Sequence, residues 1–165
     1  MMNKVVVSTE VKAPVEALFK SWHDEFADIY KFNPNLSDSH LLTNSPVEKG
    51  LGAMRQCDMA DGKNWIRERV TEFQENQKIT VDIYEGSMPL KTAYAEISFK
   101  SLSATRSQTT MAIMFEPKLG WLGRMMVPMM KKQFSKMLQA LLDANASYVE
   151  TGKQVNPNQD QIHAA

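Results

Sequence analysis

Residues 119–149 read LGWLGRMMVPMMKKQFSKMLQALLDANASYV, and this is the longest stretch of the chain that can form one helix. From Pro128 onward, apolar side chains return every three or four residues, at Met130, Phe134, Met137, Leu138, Leu141 and Tyr148. Polar residues fall mostly between them, so the spacing predicts an amphipathic helix whose apolar side covers another element. Pro128 cannot donate to the carbonyl of Arg124, which predicts either a separate first segment or a kink.

The chain before this helix has the two-residue period of β-strands. In the first strand Val5, Val7 and Val11 share one side, and polar residues fall mostly on the other. Turn-forming residues then separate six further segments with this period, which suggests a mainly antiparallel meander. The predicted strands are LSDSHLLT (36–43), GAMRQCDMA (52–60), NWIRERVTEF (64–73), KITVDIYEG (78–86), TAYAEISFKS (92–101) and RSQTTMAIMFE (106–116).

Two short helices are predicted between the first and second strands. Pro14 suits the first turn of one helix, because its missing N–H would be unsatisfied there in any case. Asp24 is a plausible N-cap of a second helix, and Pro34 prevents that helix from continuing.

This order of elements predicts an α+β fold in which a curved seven-stranded antiparallel sheet wraps around the long C-terminal helix. Only that helix is long enough to cover the apolar face of the sheet. A curved sheet around one helix leaves space between them, so we expect a cavity. We expect a single domain over residues 1–150 and a disordered polar tail over residues 151–165, which have no apolar periodicity.

Composition excludes several classes of protein. The 19 basic and 19 acidic residues balance to a formal charge of zero, which argues against nucleic acid as the main partner. Cys57 is the only cysteine, so no internal disulfide can form. The first residues lack the apolar run of a signal peptide, and no segment approaches the ~20 apolar residues of a membrane span. We therefore expect a cytoplasmic protein.

Four blocks of the chain resemble a known family. Residues 8–36, STEVKAPVEALFKSWHDEFADIYKFNPNL, have the strand and the proline-started helix pair of polyketide cyclase/dehydrase-like members of the START/SRPBCC superfamily. Residues 50–73 resemble its next block, with a glycine pair, a strand arginine, a DG hairpin and a strand carrying ERV. Residues 85–99 and 114–126 resemble two later blocks. The resemblance covers most of residues 4–149 and includes no catalytic signature.

The resemblance implies the helix-grip fold, which is also the fold of the birch-pollen allergen, with an internal pocket for lipids or other small hydrophobic molecules. Members of the superfamily include binders, transporters, cyclases, and hydrolase or oxygenase domains, so fold alone does not choose among these functions.

Arg55 and Glu68 are the best candidates for polar groups in such a pocket. A plausible register of the DG hairpin places them opposite each other, on the side of Cys57 and Val70. A buried pair could orient the polar head of a ligand or take part in acid/base chemistry. The alternative is an exposed cross-strand pair of little energetic consequence.

Methionine side chains can repack around differently shaped apolar guests, so the methionine-rich helix is a candidate wall of the pocket. The alternative is that these methionines only fill the core. We expect Trp121 near the pocket mouth. The predicted ligand-binding residues are Arg55, Glu68, Trp121, Met126, Met130, Phe134 and Met137.

Three functions follow from these patterns. The first is a non-enzymatic carrier or sensor of a lipid or other small hydrophobic molecule. The second is an enzyme of the cyclase or dehydratase kind, in which Glu68, with Tyr84 or Tyr94, transfers protons. The third is a module that docks on a membrane or protein through the methionine-rich turn and its flanking lysines. The absence of a catalytic constellation favours the first.

No cofactor is predicted, because the chain contains no phosphate loop, nucleophile elbow or dinucleotide fingerprint. No metal site is predicted, because the three histidines lack ligand spacing. Cys57 with His23 or His40 could be imagined as a nucleophile and base, but a lone strand cysteine is usually a small hydrophobe.

Overall fold

A computed structural model describes residues 2–165. The elements, in chain order, are β1 (Asn3–Val11), α1 (Val15–His23), a 3-10 turn (Ile29–Lys31), β2 (Leu36–Leu41), β3 (Met54–Met59), β4 (Trp65–Gln74), β5 (Lys78–Gly86), β6 (Leu90–Ser103), β7 (Arg106–Pro117), α2 (Gly120–Thr151) and α3 (Gln159–Ala164).

The seven strands form one antiparallel sheet in the order β1-β7-β6-β5-β4-β3-β2. Strands β2 to β7 follow one another as hairpins, and β1 pairs with β7 at the other edge. The sheet curls into a half-barrel around α2, so the predicted α+β helix-grip fold is confirmed. The alternation in β1 is also as predicted, because Val5, Val7 and Val11 are buried while Val6 is exposed.

Helix α2 covers the inner face of the sheet with the apolar stripe seen in the sequence. Met130, Phe134 and Leu141 are buried, and α2 continues through Pro128 without a break. The separate first segment is therefore not formed. Gly123 must be glycine, because a Cβ there would lie 1.9 Å from the backbone oxygen of Lys118. The start of α2 therefore packs closely against the end of β7.

The region between β1 and β2 holds one α-helix and one 3-10 turn. The helix predicted after Pro14 forms as α1, and Asp24 caps its C-terminus, with its N–H donating to the carbonyl of Lys20. Asp24 is therefore not the N-cap of a second helix. Only Ile29–Lys31 take helical form after it, as a single 3-10 turn.

Buried polar groups fix the C-terminal half of α2. Trp22 Nε1 donates to Asn145 Oδ1 at 3.0 Å, and Asn145 Nδ2 donates to Ser21 Oγ at 3.0 Å. Asn35, in the loop before β2, donates to the carbonyl of Met137 at 2.8 Å. These bonds satisfy groups that would otherwise be costly to bury, and they hold α1 and the loop before β2 against α2.

Residues of the C-terminal segment contact the body of the protein. Asn156 Nδ2 donates to the carbonyl of Tyr30 at 2.9 Å, and the Tyr30 hydroxyl donates to Asp160 at 2.7 Å. The ring of His163, on α3, stacks on Tyr30 with centroids 4.6 Å apart. These contacts are polar or aromatic and involve single residues, so no apolar period in the sequence could indicate them.

Within residues 2–165, no helix has the length and apolar character that crossing a membrane requires.

Candidate ligand-binding site

A cavity of about 110 Å³ lies between the sheet and α2. Its wall is mostly apolar and includes Ile66, Ile83, Leu138 and Leu141. Four methionines contribute to it, Met59 from β3, Met88 from the loop between β5 and β6, Met111 from β7 and Met137 from α2. The space that a curved sheet was expected to leave is therefore present, and its wall is rich in a flexible side chain.

Arg55 and Glu68 form a buried ion pair in the wall of this cavity. They lie directly opposite each other on β3 and β4, and Arg55 Nε donates to Glu68 Oε2 at 2.6 Å. Arg55 is 4% exposed and Glu68 7% exposed, so neither is the surface residue of the alternative interpretation. Phe26 supports the guanidinium twice, because its carbonyl accepts from Nη1 at 2.7 Å and its ring lies 4.2 Å from Cζ.

Each member of the pair keeps one polar atom without a protein partner. Glu68 Oε2 accepts from Arg55 and from the Cys57 thiol, which lies at 3.4 Å. No group within residues 2–165 donates to Glu68 Oε1, and none accepts from Arg55 Nη2. Both residues line the cavity, and one acceptor atom, Glu68 Oε1, and one donor atom, Arg55 Nη2, have no partner within residues 2–165.

A β-bulge lies beside Glu68. Arg67 pairs with Glu85 and Glu68 pairs with Ile83, so Tyr84 is an extra residue on β5. Bulges change the direction of neighbouring side chains and often occur next to functional sites. Here Ile83 lines the cavity, whereas Glu85 reaches Arg67 at 3.0 Å on the outer face.

Burial and the two charges determine the protonation of the site. Burial is the largest single influence on Arg55 and opposes its positive charge, but Glu68 and Cys57 together hold the pKa of Arg55 above its ordinary value. Burial, reinforced by the Glu68 charge, raises the pKa of the Cys57 thiol well above its ordinary value. The guanidinium is therefore charged and Cys57 is a neutral thiol, which is a poor nucleophile.

The structure gathers four of the seven predicted site residues around the cavity: Arg55, Glu68, Phe134 and Met137. Met130 is 7% exposed but packs beside the cavity, in a cluster with Phe115 and Phe134, and does not line it. Trp121 and Met126 were placed wrongly, because they are 63% and 40% exposed at the start of α2 and do not line the cavity.

The proposed proton-transfer partners of Glu68 are also elsewhere. Tyr84 lies under the guanidinium of Arg69, whose Cζ is 5.2 Å from its ring, and neither Tyr84 nor Tyr94 lines the cavity. His23 and His40 do not line it either, so no described histidine is placed to activate Cys57.

Sequence reasoning missed five contributors to the site: Phe26, Asn33 and three methionines. Phe26 lies 29 positions before the arginine that it supports, and no local period connects the two. Asn33 is buried in the cavity wall, where its Oδ1 accepts from the backbone N–H of Asn35 at 2.9 Å. Met59, Met88 and Met111 were read only as strand or turn residues. The NPN sequence at 33–35 was a usable signal, because asparagines beside a proline form turns that present side-chain amides.

A second cluster lies on β2 and β3, away from the cavity. Ligand atoms of Asp38, His40 and Asp58 come within 4.8 Å of one another. His163 pairs with Asp38 at 2.6 Å, and Gln56 donates to Asp58 at 2.9 Å. These contacts account for the carboxylates without an ion.

The sequence and the fold both have recognisable relatives. The profile of the family described as polyketide cyclase / dehydrase and lipid transport matches residues 2–150. No curated protein matches the sequence at a significant level.

Solved structures share the fold at low identity. The ZhuI aromatase/cyclase from Streptomyces sp. R1128 has a TM-score of 0.72 at 15% identity, over 92% of this chain and 98% of its own. A START superfamily protein from Mycobacterium smegmatis has a TM-score of 0.70 at 20% identity, over 89% and 97%. Norcoclaurine synthase from Thalictrum flavum has a TM-score of 0.69 at 12% identity, over 92% and 95%. With the family profile extending over residues 2–150, the chain belongs to the polyketide cyclase / dehydrase and lipid transport family.

Proposed function

We propose that the protein is a carrier or sensor that binds a small hydrophobic molecule, with one neutral polar group, in the cavity between the sheet and α2. One observation supports this most: a buried Arg55–Glu68 pair in a mostly apolar wall, in which the atoms Arg55 Nη2 and Glu68 Oε1 have no partner within residues 2–165. Ligand pockets commonly combine apolar walls with a few such polar groups that fix the orientation of the ligand.

The pair favours a neutral polar group because its charges already cancel. A carboxylate brought to Arg55 would lose its hydration and would also meet the negative charge of Glu68. A hydroxyl can accept from Arg55 Nη2 and donate to Glu68 Oε1 at once. We therefore expect alcohols or phenols to bind better than acids of the same shape.

The size of the cavity limits the ligand. A cavity of about 110 Å³ is smaller than the ~300–1,000 Å³ of drug-sized pockets and close to that of engineered cavities that bind benzene. A lipid chain would fit only after the methionines of the wall change rotamer. Methionine has three flexible torsions, so such a change is cheaper here than in a wall of branched residues.

A matched set of small ligands tests the proposal. Toluene, benzyl alcohol and benzoate differ only in the group attached to the ring, and calorimetric titration gives the affinity of each. We expect benzyl alcohol to bind about 10-fold or more tighter than toluene, because hydrogen bonds to charged groups contribute about 1.5–3 kcal/mol. Benzoate should bind most weakly.

The Arg55→Met/Glu68→Met double variant identifies the groups responsible, because it replaces both charges without leaving one unpaired. In this variant benzyl alcohol should lose its advantage over toluene. Arg67→Met is the matched control, since Arg67 lies next to Glu68 on β4 but on the outer face of the sheet. Tightest binding of benzoate, no binding of any of the three, or an unchanged preference in the double variant would contradict the proposal.

The unpartnered Glu68 Oε1 favours one alternative, a cyclase or dehydratase in which Glu68 accepts a proton. Two structural relatives are described as an aromatase/cyclase and a synthase. Glu68 is already bonded to Arg55, and the two tyrosines considered for proton transfer do not line the cavity. In the enzyme, Glu68→Gln would abolish turnover of a bound polyketide-like substrate and leave its binding intact. A Glu68→Gln variant that loses binding, with no turnover to lose, is the result expected of a carrier.

A further inference from the structure

The first three turns of α2 carry an apolar stripe that no part of the described chain covers. We call it the methionine face, and it consists of Leu122 (50% exposed), Met125 (71%), Met126 (40%) and Met129 (59%). The spacing of three and four residues places these side chains on one side of the helix. Trp121, 63% exposed, lies at its border.

A second apolar stripe on the same turns is buried. Gly123 and Met130 are buried and Val127 is partly buried, and they pack toward β7 and the core. At 100° per residue, the centre of this stripe lies about 120° around the helix from the centre of the methionine face, so the two stripes have different directions. One apolar stripe is enough to attach a surface helix to its core, so packing within the chain does not explain the second.

The segment around the methionine face is positively charged, although the whole chain is neutral. Between Glu116 and Asp143 there is no acidic residue, and the basic residues are Lys118, Arg124, Lys131, Lys132 and Lys136. All five are exposed, and within residues 2–165 none of them has a carboxylate within 4.0 Å. Helical spacing places Lys132 and Lys136 beside the methionine face, in the turns that follow it.

We propose that the methionine face docks on the surface of an anionic lipid bilayer. Apolar side chains at the centre enter the acyl boundary, Trp121 lies at the headgroup level, and the flanking lysines contact anionic headgroups. The positive charge around the methionine face favours an anionic bilayer over a second copy of the chain as its partner. A symmetric dimer through this face would bring two unpaired basic segments together, whereas an anionic surface neutralises them.

The proposal does not depend on a ligand in the cavity. The two regions are nonetheless neighbours, because the backbone N–H of Lys118 donates to the carbonyl of Pro89 at 2.9 Å, and Met88 and Leu90 on either side line the cavity. Docking through the methionine face would bring this end of the cavity close to the bilayer.

Vesicle flotation with the whole protein tests the proposal. The probes are vesicles of phosphatidylcholine alone and of phosphatidylcholine with phosphatidylserine, at low and high salt. We expect binding to the mixed vesicles at low salt, little binding to the neutral ones, and release by high salt. Tryptophan fluorescence should shift to the blue on binding, and Trp121→Phe should abolish the shift, because Trp22 is already buried and Trp65 lies on β4, outside the methionine face.

Two sets of variants separate the apolar and the electrostatic contributions. Leu122→Ser/Met125→Ser/Met129→Ser removes exposed side chains only, so the fold should survive and vesicle binding should be lost. Leu102→Ser, at an exposed apolar position on the sheet, is the control and should bind normally. Lys132→Gln and Lys136→Gln should each weaken binding about five-fold at low salt.

The proposal is wrong if the protein does not float with the mixed vesicles, or if the triple serine variant floats as well as the natural protein. It is also wrong if the triple variant changes a dimer into a monomer while vesicle binding is unaffected, because the methionine face is then an interface between copies of the chain. Circular dichroism of the triple variant must match that of the natural protein for its loss of binding to support docking.

Discussion

Arg67 and Glu68 are neighbours on β4, yet their ion pairs lie in different surroundings. Glu68 points into the cavity and pairs with Arg55, where the two side chains are 9% and 5% exposed. Arg67 points outward and pairs with Glu85, where the two side chains are 37% and 50% exposed. The pairs are similar in chemistry and differ in the solvent around them.

Solvent decides what each pair does. Water screens the Arg67–Glu85 pair, and each charged side chain would stay hydrated without its partner. Such a pair therefore contributes ~0–1 kcal/mol to the free energy of unfolding. The Arg55–Glu68 pair is costly to bury, and neither residue is tolerable without the other. A buried pair of this kind is weak evidence for stability, so its place in the cavity wall is better explained by the ligand that it would contact.

The largest expected effect comes from breaking the buried pair. Arg55→Met leaves Glu68 as an uncompensated buried charge and should lower the free energy of unfolding by about 3–5 kcal/mol. Urea unfolding followed by circular dichroism measures this loss. The Arg55→Met/Glu68→Met double variant should recover most of it, because it buries no charge. A double variant as unstable as the single one would show that the pair itself stabilises the fold.

The next effect concerns Cys57, which contacts the buried carboxylate. The folded-state pKa of its thiol is raised above the unfolded value near 9.0, so the unfolded chain loses this proton first as the pH rises. The resulting stability is complete below about pH 9 and decreases above it, by at most about 1.4 kcal/mol per pH unit.

Urea titrations of Cys57→Ala at rising pH isolate this contribution, because its free energy of unfolding should fall less steeply above pH 9. At neutral pH, thiol reagents should modify the natural protein only as fast as it unfolds. Rapid modification of the folded protein would mean that Cys57 is accessible, contrary to its 2% exposure.

The smallest effect is expected at the outer pair. Arg67→Met should change the free energy of unfolding by no more than ~1 kcal/mol, and added salt should reduce even that difference. The same urea titration, run at low and high salt, gives both values. A loss as large as that of Arg55→Met would remove the distinction between the two faces of β4.

The sequence predicted the fold well because each feature of it has a local period. The two-residue period predicted the seven strands, and the spacing of three and four residues predicted the long helix that covers the sheet. The DG hairpin predicted that Arg55 lies opposite Glu68, as observed. The same pattern indicated that both side chains point inward, because each shares one side of its strand with apolar residues.

Contacts between distant segments could not be predicted in this way. Phe26 supports Arg55 from the loop after α1, and His163 reaches Tyr30 from the end of the chain. The sequence placed Trp121 and Met126 at the cavity because they lie in the methionine-rich turn beside Pro128, but neither lines it. Nearness to this turn does not show which side of the helix faces the sheet. The buried stripe of α2 begins at Gly123, whose close contact with Lys118 fixes the rotation of the helix.

The most direct test of the cavity account is native mass spectrometry of the natural protein and the Arg55→Met/Glu68→Met double variant, purified in parallel, with identification of what denaturation releases. The account predicts that the natural protein carries a small apolar compound with a hydroxyl or similar neutral polar group, and that the double variant carries much less of it. A charged compound, or equal amounts of the same compound in both proteins, would contradict the role assigned to the buried pair.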